Sequence, residues 1–238
     1  MKIWWKRIGV FLGIVILAFI LNYQFVIDNS WNTWNLPLAG KIIVLDPGHG
    51  GPDGGAEGKG DVQEKDIALK IALNLRDYLQ EAGALVVMTR EIDEDLADKS
   101  TRGLSNRKSE DLRRRAKIIN NEHTDLFISI HLNAIPSPRW RGAQTFYNPN
   151  NEQSKNLSKF IQNEIIRNLE NTTRQAKSIQ GVYLLRQAKI PGALVEVGFL
   201  SNPSEKELLK SESYQNKVSA SIYQGILRFY TNEPAPSE

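Results

Sequence analysis

The sequence lacks cysteine altogether in its 238 residues. This absence excludes thiolate catalysis, cysteine-ligated zinc and disulfide bonds, although a domain of this length does not need disulfides in any compartment. A strong charge of one sign is also missing: 30 Lys and Arg residues face 27 Asp and Glu residues, and the excess comes from Lys2, Lys6 and Arg7. We therefore predict no nucleic-acid partner.

Two catalytic motifs are absent as well. No H-E-x-x-H occurs, which disfavours a zincin-type protease. Seven of the 17 glycines lie between Gly48 and Gly60, but Asp53 stands where a G-x-G-x-x-G motif needs its third glycine, and no G-K-[ST] follows. This glycine-rich loop is therefore not predicted to bind a nucleotide phosphate.

The N-terminus combines a basic segment with a long uncharged run. Residues 1–7 contain no acid, and the 20 residues from Ile8 to Ile27 carry no charge. A helix of that length spans about 30 Å, so we predict a transmembrane anchor over 8–27, cytoplasmic residues 1–7 and an extracytoplasmic body. The alternative is a secretory signal removed by cleavage, but residues 22–27 lack a small-x-small cleavage pattern.

The remaining chain predicts one α/β domain over residues 41–230, between a linker (28–40) and a disordered tail (231–238). Apolar runs alternate with amphipathic helical patterns, which indicates a mostly parallel sheet flanked by helices. Predicted strands are 41–45, 84–89, 126–130, 143–147, 182–185 and 193–197, and predicted helices are 65–82, 111–121, 154–169 and 214–230. Residues 91–109 are charged and aperiodic, which predicts an exposed insertion bordering a substrate groove.

Two of the three histidines follow predicted strands. His49 comes after 41–45 and His131 directly after 126–130, so both are expected at the carboxyl edge of the sheet, where ligands bind. Their convergence indicates a metal site, although a single histidine after a strand is more often an ordinary loop residue. His123 precedes its strand and is expected at the opposite edge, in a structural role.

Two glutamates stand out by their context. Glu196 lies in the apolar run 193–200, where a buried carboxylate would be costly and would have a raised pKa suited to a general base. The alternative is an edge strand with Glu196 facing water. Glu64 follows Asp61 by three residues, a spacing that by itself favours a helix-capping pair over catalysis.

Several segments together resemble a known family, the zinc-dependent N-acetylmuramoyl-L-alanine amidases of bacterial cell walls. The similarity runs in order through nearly all of residues 41–230, and its pieces are 45–51 (Leu-Asp-Pro-Gly-His-Gly-Gly), 64–66, 89–90, 112–115 with Asn120, 129–134 and 195–202. The N-terminal anchor, the Trp-containing linker and the lack of appended wall-binding repeats resemble the spore-cortex branch of that family.

The resemblance implies roles for four residues. Zinc would be held by His49, Glu64 and His131, which overrides the capping interpretation of Glu64, and Glu196 would be the catalytic carboxylate. The implied substrate is peptidoglycan, cleaved between N-acetylmuramic acid and L-alanine, and in cortex this is the step that precedes muramic δ-lactam formation. The sequence departs from the family pattern at Ile119 and in the length of 91–109.

Two other functions stay open at this point. One is a metal-independent glycoside hydrolase using two carboxylates such as Glu196 and Glu64. The other is a wall-binding module without catalytic activity. The sequence also leaves open whether an activating protein partner is required.

Overall fold

The structure, a computed structural model, describes Trp4, Arg7, residues 11–20, Tyr23, residues 36–231 and residues 233–236. The chain divides into two compact units, Met1–Pro37 and Leu38–Glu238. Residues 11–20 are helical, and no helix within the described residues has the length and apolar character that crossing a bilayer requires. Nine of the 20 residues of the predicted anchor 8–27 lie outside the described residues, as do eight of the 13 residues of the linker 28–40 and three residues of the predicted tail.

A six-stranded sheet forms the centre of the second unit, in the order β4-β1-β5-β8-β6-β7. All neighbours are parallel except β6, which runs antiparallel to β8. The strands are β1 (Ile42–Pro47), β4 (Leu85–Met88), β5 (Leu126–Asn133), β6 (Gln144–Tyr147), β7 (Lys177–Ser178) and β8 (Gly192–Phe199), and a separate hairpin joins β2 (Glu57–Gly58) to β3 (Val62–Gln63). The predicted mostly parallel α/β sheet is thus confirmed.

Helices cover both faces of this sheet. They are α1 (Glu64–Glu81), α2 (Leu104–Ile119), α3 (Glu152–Leu169), α4 (Tyr183–Gln187), α5 (Pro203–Lys210) and α6 (Glu212–Tyr230). The larger core cluster joins α1, α3 and α6 to one face, and the smaller cluster joins α2 and α4 to the other. Central strands such as β1 and β5 are buried on both faces, which explains their uninterrupted apolar sequence.

The structure corrects two predictions about the elements. The strand predicted at 182–185 is wrong, because these residues enter helix α4; Leu184 and Leu185 pack consecutively into the smaller core, and so short an apolar run has no diagnostic period. The insertion predicted at 91–109 ends earlier than expected, since α2 begins at Leu104. The buried face of α2 includes the charged residues Asp111 and Arg115, so the apolar residues alone predicted too short a helix.

The second unit also begins before Lys41. Leu38, inside the predicted linker, is fully buried in the larger core, and its N–H donates to the carbonyl of Ala82, 2.9 Å away, at the end of α1. Gly83 follows that helix end with a φ of 92°, a left-handed conformation that glycine adopts readily after a helix.

We expect Leu38→Ala to lower the free energy of unfolding by about 2–5 kcal/mol, because the change removes buried methyl groups and leaves a cavity. Leu36→Ala is the matched control, since Leu36 is 50% exposed and should change stability by less than about 0.5 kcal/mol. Urea denaturation followed by circular dichroism measures both. Equal effects would show that the chain at 36–38 does not pack as described.

Candidate active site

Three predicted ligands meet at the carboxyl edge of the sheet. His49 lies in the glycine-rich loop after β1 with a left-handed φ of 62°, His131 lies near the end of β5, and Glu64 is the first residue of α1. One donor atom from each lies within 4.8 Å of the other two, a group that could hold a metal ion. The predicted strand ended too early, since β5 continues through His131 to Asn133.

His123 is not part of this group. It precedes β5, and its side chain is 72% exposed beside Glu122. The predicted separation of His123 from the other two histidines is therefore confirmed.

Glu64 links the two imidazoles. Its Oε1 lies 2.9 Å from His131 Nδ1 and accepts a hydrogen bond from the Leu132 N–H, and its Oε2 lies 3.2 Å from His49 Nε2 and accepts one from the Ala56 N–H. Burial works against ionisation, but the hydrogen bonds of His131 and His49 outweigh it and hold the pKa of the Glu64 carboxyl far below its usual range.

The capping interpretation of Glu64 is wrong. The N-cap of α1 is Gln63, without a side-chain cap bond, so Glu64 occupies the first helical position and not the third. Its carboxylate turns instead toward the two histidines.

Glycine is required where the loop approaches these ligands. A Cβ on Gly48 would lie 2.4 Å from His131 Cε1, and a Cβ on Gly55 would lie 2.5 Å from Glu64 Oε2. Any side chain at either position would displace a member of the group. The dense glycines of this loop therefore allow close approach to side chains, not to a phosphate.

Glu196 lies on β8, an interior strand, in register with His131 on β5 and Gln144 on β6. The edge-strand alternative is therefore wrong. Its Oε2 is buried and has no hydrogen-bond partner among the described residues. Burial raises the pKa of this carboxyl to about 7, with His131 opposing the shift. A carboxyl group titrating near neutral pH suits general acid–base chemistry.

A buried ion pair supports the site, and no local sequence pattern predicts a role for it. Asp46, at the end of β1, is fully buried and accepts hydrogen bonds from Thr89 Oγ1 (2.8 Å), Ser129 Oγ (2.6 Å) and Arg115 Nη1 (2.8 Å). Arg115 also donates to Asp111 Oδ2 from the same turn of α2. Burial disfavours the Asp46 anion, but Arg115 overcomes this cost and keeps the pKa of Asp46 below its usual value.

Two arginines hold the backbone that carries His49. Arg115 donates to the carbonyls of Pro47 (2.8 Å) and His49 (2.7 Å), and Arg90 donates to those of Pro47 (3.1 Å) and Gly48 (2.9 Å). These four hydrogen bonds hold the loop in the backbone conformation that carries His49. In the sequence, Thr89, Arg90 and Arg115 stand out only as parts of the segments that resemble the amidase family. No local pattern shows that these side chains contact a loop that is distant in the sequence.

The segment 91–109 contacts the glycine-rich loop, while its predicted place at the border of a substrate groove stays a prediction. Asp93 accepts from the Gly51 N–H and pairs with Lys65, so the segment packs against the glycine-rich loop. Lys108 Nζ lies 2.9 Å from Asp53 Oδ2, and the same oxygen lies 2.9 Å from His49 Nδ1. Lys108, Leu112 and Leu184 line a small cavity beside His49 and His131.

Comparison with known proteins agrees with this geometry. The family described as N-acetylmuramoyl-L-alanine amidase (Amidase_3) matches residues 43–228, which include every site residue described above. The chain belongs to this amidase family.

Individual relatives place the chain more closely within the family. A germination-specific N-acetylmuramoyl-L-alanine amidase from Bacillus subtilis (strain 168) is 58% identical over 98% of this chain and 98% of its own. The CwlD amidase from Clostridioides difficile, solved in complex with the GerS lipoprotein, is 43% identical with a TM-score of 0.78 and is matched over 79% of this chain and 98% of its own. An N-acetylmuramoyl-L-alanine amidase from Clostridium difficile 630 is 32% identical, with a TM-score of 0.70, over 79% of this chain and 96% of its own.

We expect Asp46→Asn to destabilise this amidase by about 1–3 kcal/mol at neutral pH, because it removes one of the two buried carboxylates that pair with Arg115, the other being Asp111. Asp77→Asn is the control, since Asp77 is 61% exposed and its one ion pair within the described ranges is with its neighbour Arg76.

The contribution of the Asp46–Arg115 pair to the free energy of unfolding should depend on pH. Because the pKa of Asp46 is lowered in the folded state, its contribution is complete above the unfolded pKa of about 3.9 and is lost as the pH falls through the folded value. The difference in the free energy of unfolding between the parent and Asp46→Asn should therefore become smaller in acid. Denaturant midpoints measured across pH test this, and a difference that widens in acid would contradict it.

Proposed function

We propose that this family member hydrolyses the amide bond between N-acetylmuramic acid and L-alanine in the peptidoglycan of spore cortex, using zinc held by His49, Glu64 and His131. The observation that carries the proposal is the convergence of these three ligands beside Glu196 on the adjacent strand. Membership of an amidase family adds the identity of the bond, and 58% identity to a germination-specific relative supports the cortex as substrate.

The donor set fits zinc. Two imidazole nitrogens and one carboxylate oxygen leave a coordination position for water or substrate, as in catalytic zinc sites. When bound, zinc supplies Lewis acidity, which polarises an amide carbonyl and lowers the pKa of water to about 7. Asp53 lies 2.9 Å from His49 Nδ1 and would orient that ring, as carboxylates commonly do for ligating histidines.

Glu196 has the position and environment of a general base. Its buried Oε2 has no hydrogen-bond partner among the described residues, so it is available to accept the proton of the attacking water. The same carboxyl can then donate that proton to the leaving amine of L-alanine. The products are a stem peptide with a free N-terminus and a glycan with an unsubstituted lactyl group.

The two rival functions are less consistent with these contacts. A metal-independent glycoside hydrolase would need Glu64 as a free acid or nucleophile, yet both of its oxygens already contact histidines and accept backbone N–H groups. A module that only binds wall polymer would not need an unpartnered buried carboxylate beside the ligand group.

In spore cortex, the proposed amide hydrolysis comes before a deacetylation of the same sugar. We propose that a separate deacetylase acts on the uncovered muramic acid, which then closes to muramic δ-lactam. Mass spectrometry of digested cortex should show muramic acid without a stem peptide when the parent protein is added. New reducing ends without released stem peptides would instead indicate a glycoside hydrolase.

Peptidoglycan lies outside the cytoplasmic membrane, so this function requires an extracytoplasmic catalytic domain. We propose that residues 8–27 anchor it there without cleavage, on the strength of their uncharged sequence. Intact mass of membrane-extracted protein tests this, because cleavage would give a mature N-terminus near residues 25–35.

A protein partner is also proposed. The CwlD relative was solved in a complex with a lipoprotein, which supports a partner of that class for this chain. Co-elution with a related lipoprotein from the same cell, accompanied by a change in zinc content or rate, is the test.

We expect His49→Ala and His131→Ala each to abolish zinc retention, because each change removes one of three ligands. His123→Ala is the matched control, since its exposed side chain lies outside the group. Elemental analysis of the purified proteins gives the stoichiometry. Equal zinc loss in all three variants would contradict the proposed ligand set.

The two carboxylates should respond differently to amide substitution. Glu196→Gln should keep zinc and fold while the rate falls about 10²–10⁴-fold, because the amide cannot accept a proton. Glu64→Gln should weaken zinc affinity, and excess zinc should restore part of its rate. Zinc titrations with rate measurements separate the two effects. Rescue by zinc of Glu196→Gln and not of Glu64→Gln would reverse the two roles.

A further inference from the structure

A concave surface of about 610 Å³ lies apart from the histidine group and has no role in the mechanism above. It is formed by the loop before β6, the end of α3 and the loop after α3, and its lining includes Arg139, Trp140, Arg141, Asn171, Thr172 and Arg174. Glu170 is its only acidic lining residue among those described. The surface is therefore cationic, and its volume is typical of a ligand site.

The walls of this surface are held in place by buried contacts. Glu205 accepts the N–H of Gly142 and the N–H of Phe199, both at 2.9 Å. Arg174 donates to the Gly142 carbonyl at 2.8 Å, so the two loops are joined. A Cβ on Gly142 would lie 2.8 Å from the Asn171 carbonyl oxygen, which shows how closely the loops approach.

The side chains facing this surface suit a carboxylate attached to a larger ligand. The guanidinium of Arg174 lies 5.8 Å from the Trp140 ring centroid and 5.2 Å from the Phe199 ring centroid, within the range of a cation–π contact with each ring. Trp140 is 51% exposed. Arg141 is exposed and has no hydrogen bond or ion pair within the described part of the chain. Arginine binds carboxylates through paired N–H donors.

The surface also lies at a suitable distance from Glu196. Gln144 lies opposite Glu196 on the neighbouring strand, about 5 Å away, and Arg141 precedes Gln144 by three residues, or at most about 10 Å of extended chain. An extended peptide advances about 3.3–3.6 Å per residue. The second and third residues of a stem peptide, counted from the bond that is cut, would therefore reach this surface.

We propose that this cationic surface binds the carboxylates of the peptidoglycan stem peptide, at its second and third residues, and so selects substrates whose stem carboxylates are free. The inference rests on the proposed function, because the position of the stem is measured from the amide bond that Glu196 helps to cleave. The surface orients the substrate and takes no part in bond cleavage.

The test compares two soluble disaccharide tripeptides, one with free stem carboxylates and one with both carboxylates amidated. The zinc-loaded full-length parent should have a KM about tenfold lower for the free form, since a charged hydrogen bond is worth about that factor. Arg141→Gln should raise the KM for the free form about tenfold and remove the preference. Lys117→Gln is the charge-matched control, because Lys117 is exposed near the end of α2 and outside this surface, and it should keep the preference.

A binding measurement separates this inference from the proposed activity. The tripeptide with free carboxylates, titrated calorimetrically into the full-length protein, should bind the parent about tenfold more tightly than it binds Arg141→Gln. If the parent cleaves neither substrate, the proposed function fails and this titration alone decides whether the surface binds stem carboxylates. A parent without preference, a variant that retains it, or binding of inorganic phosphate without tripeptide would overturn the inference.

Discussion

The buried pair of Asp46 and Arg115 is the interaction on which the site depends. It lies at the end of β1, where the chain leaves the sheet and turns into the left-handed conformation of His49. Such a turn is unfavourable for a residue other than glycine. Arg115 compensates for this cost by donating hydrogen bonds to the carbonyls of Pro47 and His49. The position of the first imidazole is thus determined by an ion pair beneath it, while the second is fixed by the hydrogen-bonding pattern of β5.

Two glutamates at this edge have opposite electrostatic properties, although burial raises the pKa of both. Glu64 is buried but surrounded by two imidazoles and two backbone N–H groups, so its anion is stabilised. Glu196 lies next to the same histidine, but its buried Oε2 has no hydrogen-bond donor among the described residues, so desolvation dominates. One carboxylate is therefore suited to bind a cation and the other to carry a proton. The difference comes from the groups that donate to each side chain and not from the residue type.

The sequence predicted the parts of this arrangement that depend on local pattern. The strand ends carrying His49 and His131 follow from apolar runs, and the unusual context of Glu196 follows from its apolar neighbours. The orientation of Glu64 could not be predicted, because Asp61 and Glu64 have the spacing of a capping pair and only the packed loop shows where the carboxylate points. Helix α4 and the start of α2 were missed for a related reason, since their buried faces mix polar residues or contain too few apolar ones.

Glu205 has a consequence for how this protein can diverge. Its carboxylate binds two backbone N–H groups, at Gly142 and Phe199, and neither bond involves a side chain of the loop 139–141. The loop can therefore change its amino acids while its backbone keeps the same path beside β8. Evolution, or a designer, could in this way exchange the residues of one surface without disturbing the strand that carries Glu196. Diversity at 139–141 among relatives that share Gly142 and Glu205 would then record changes of ligand preference on a constant framework.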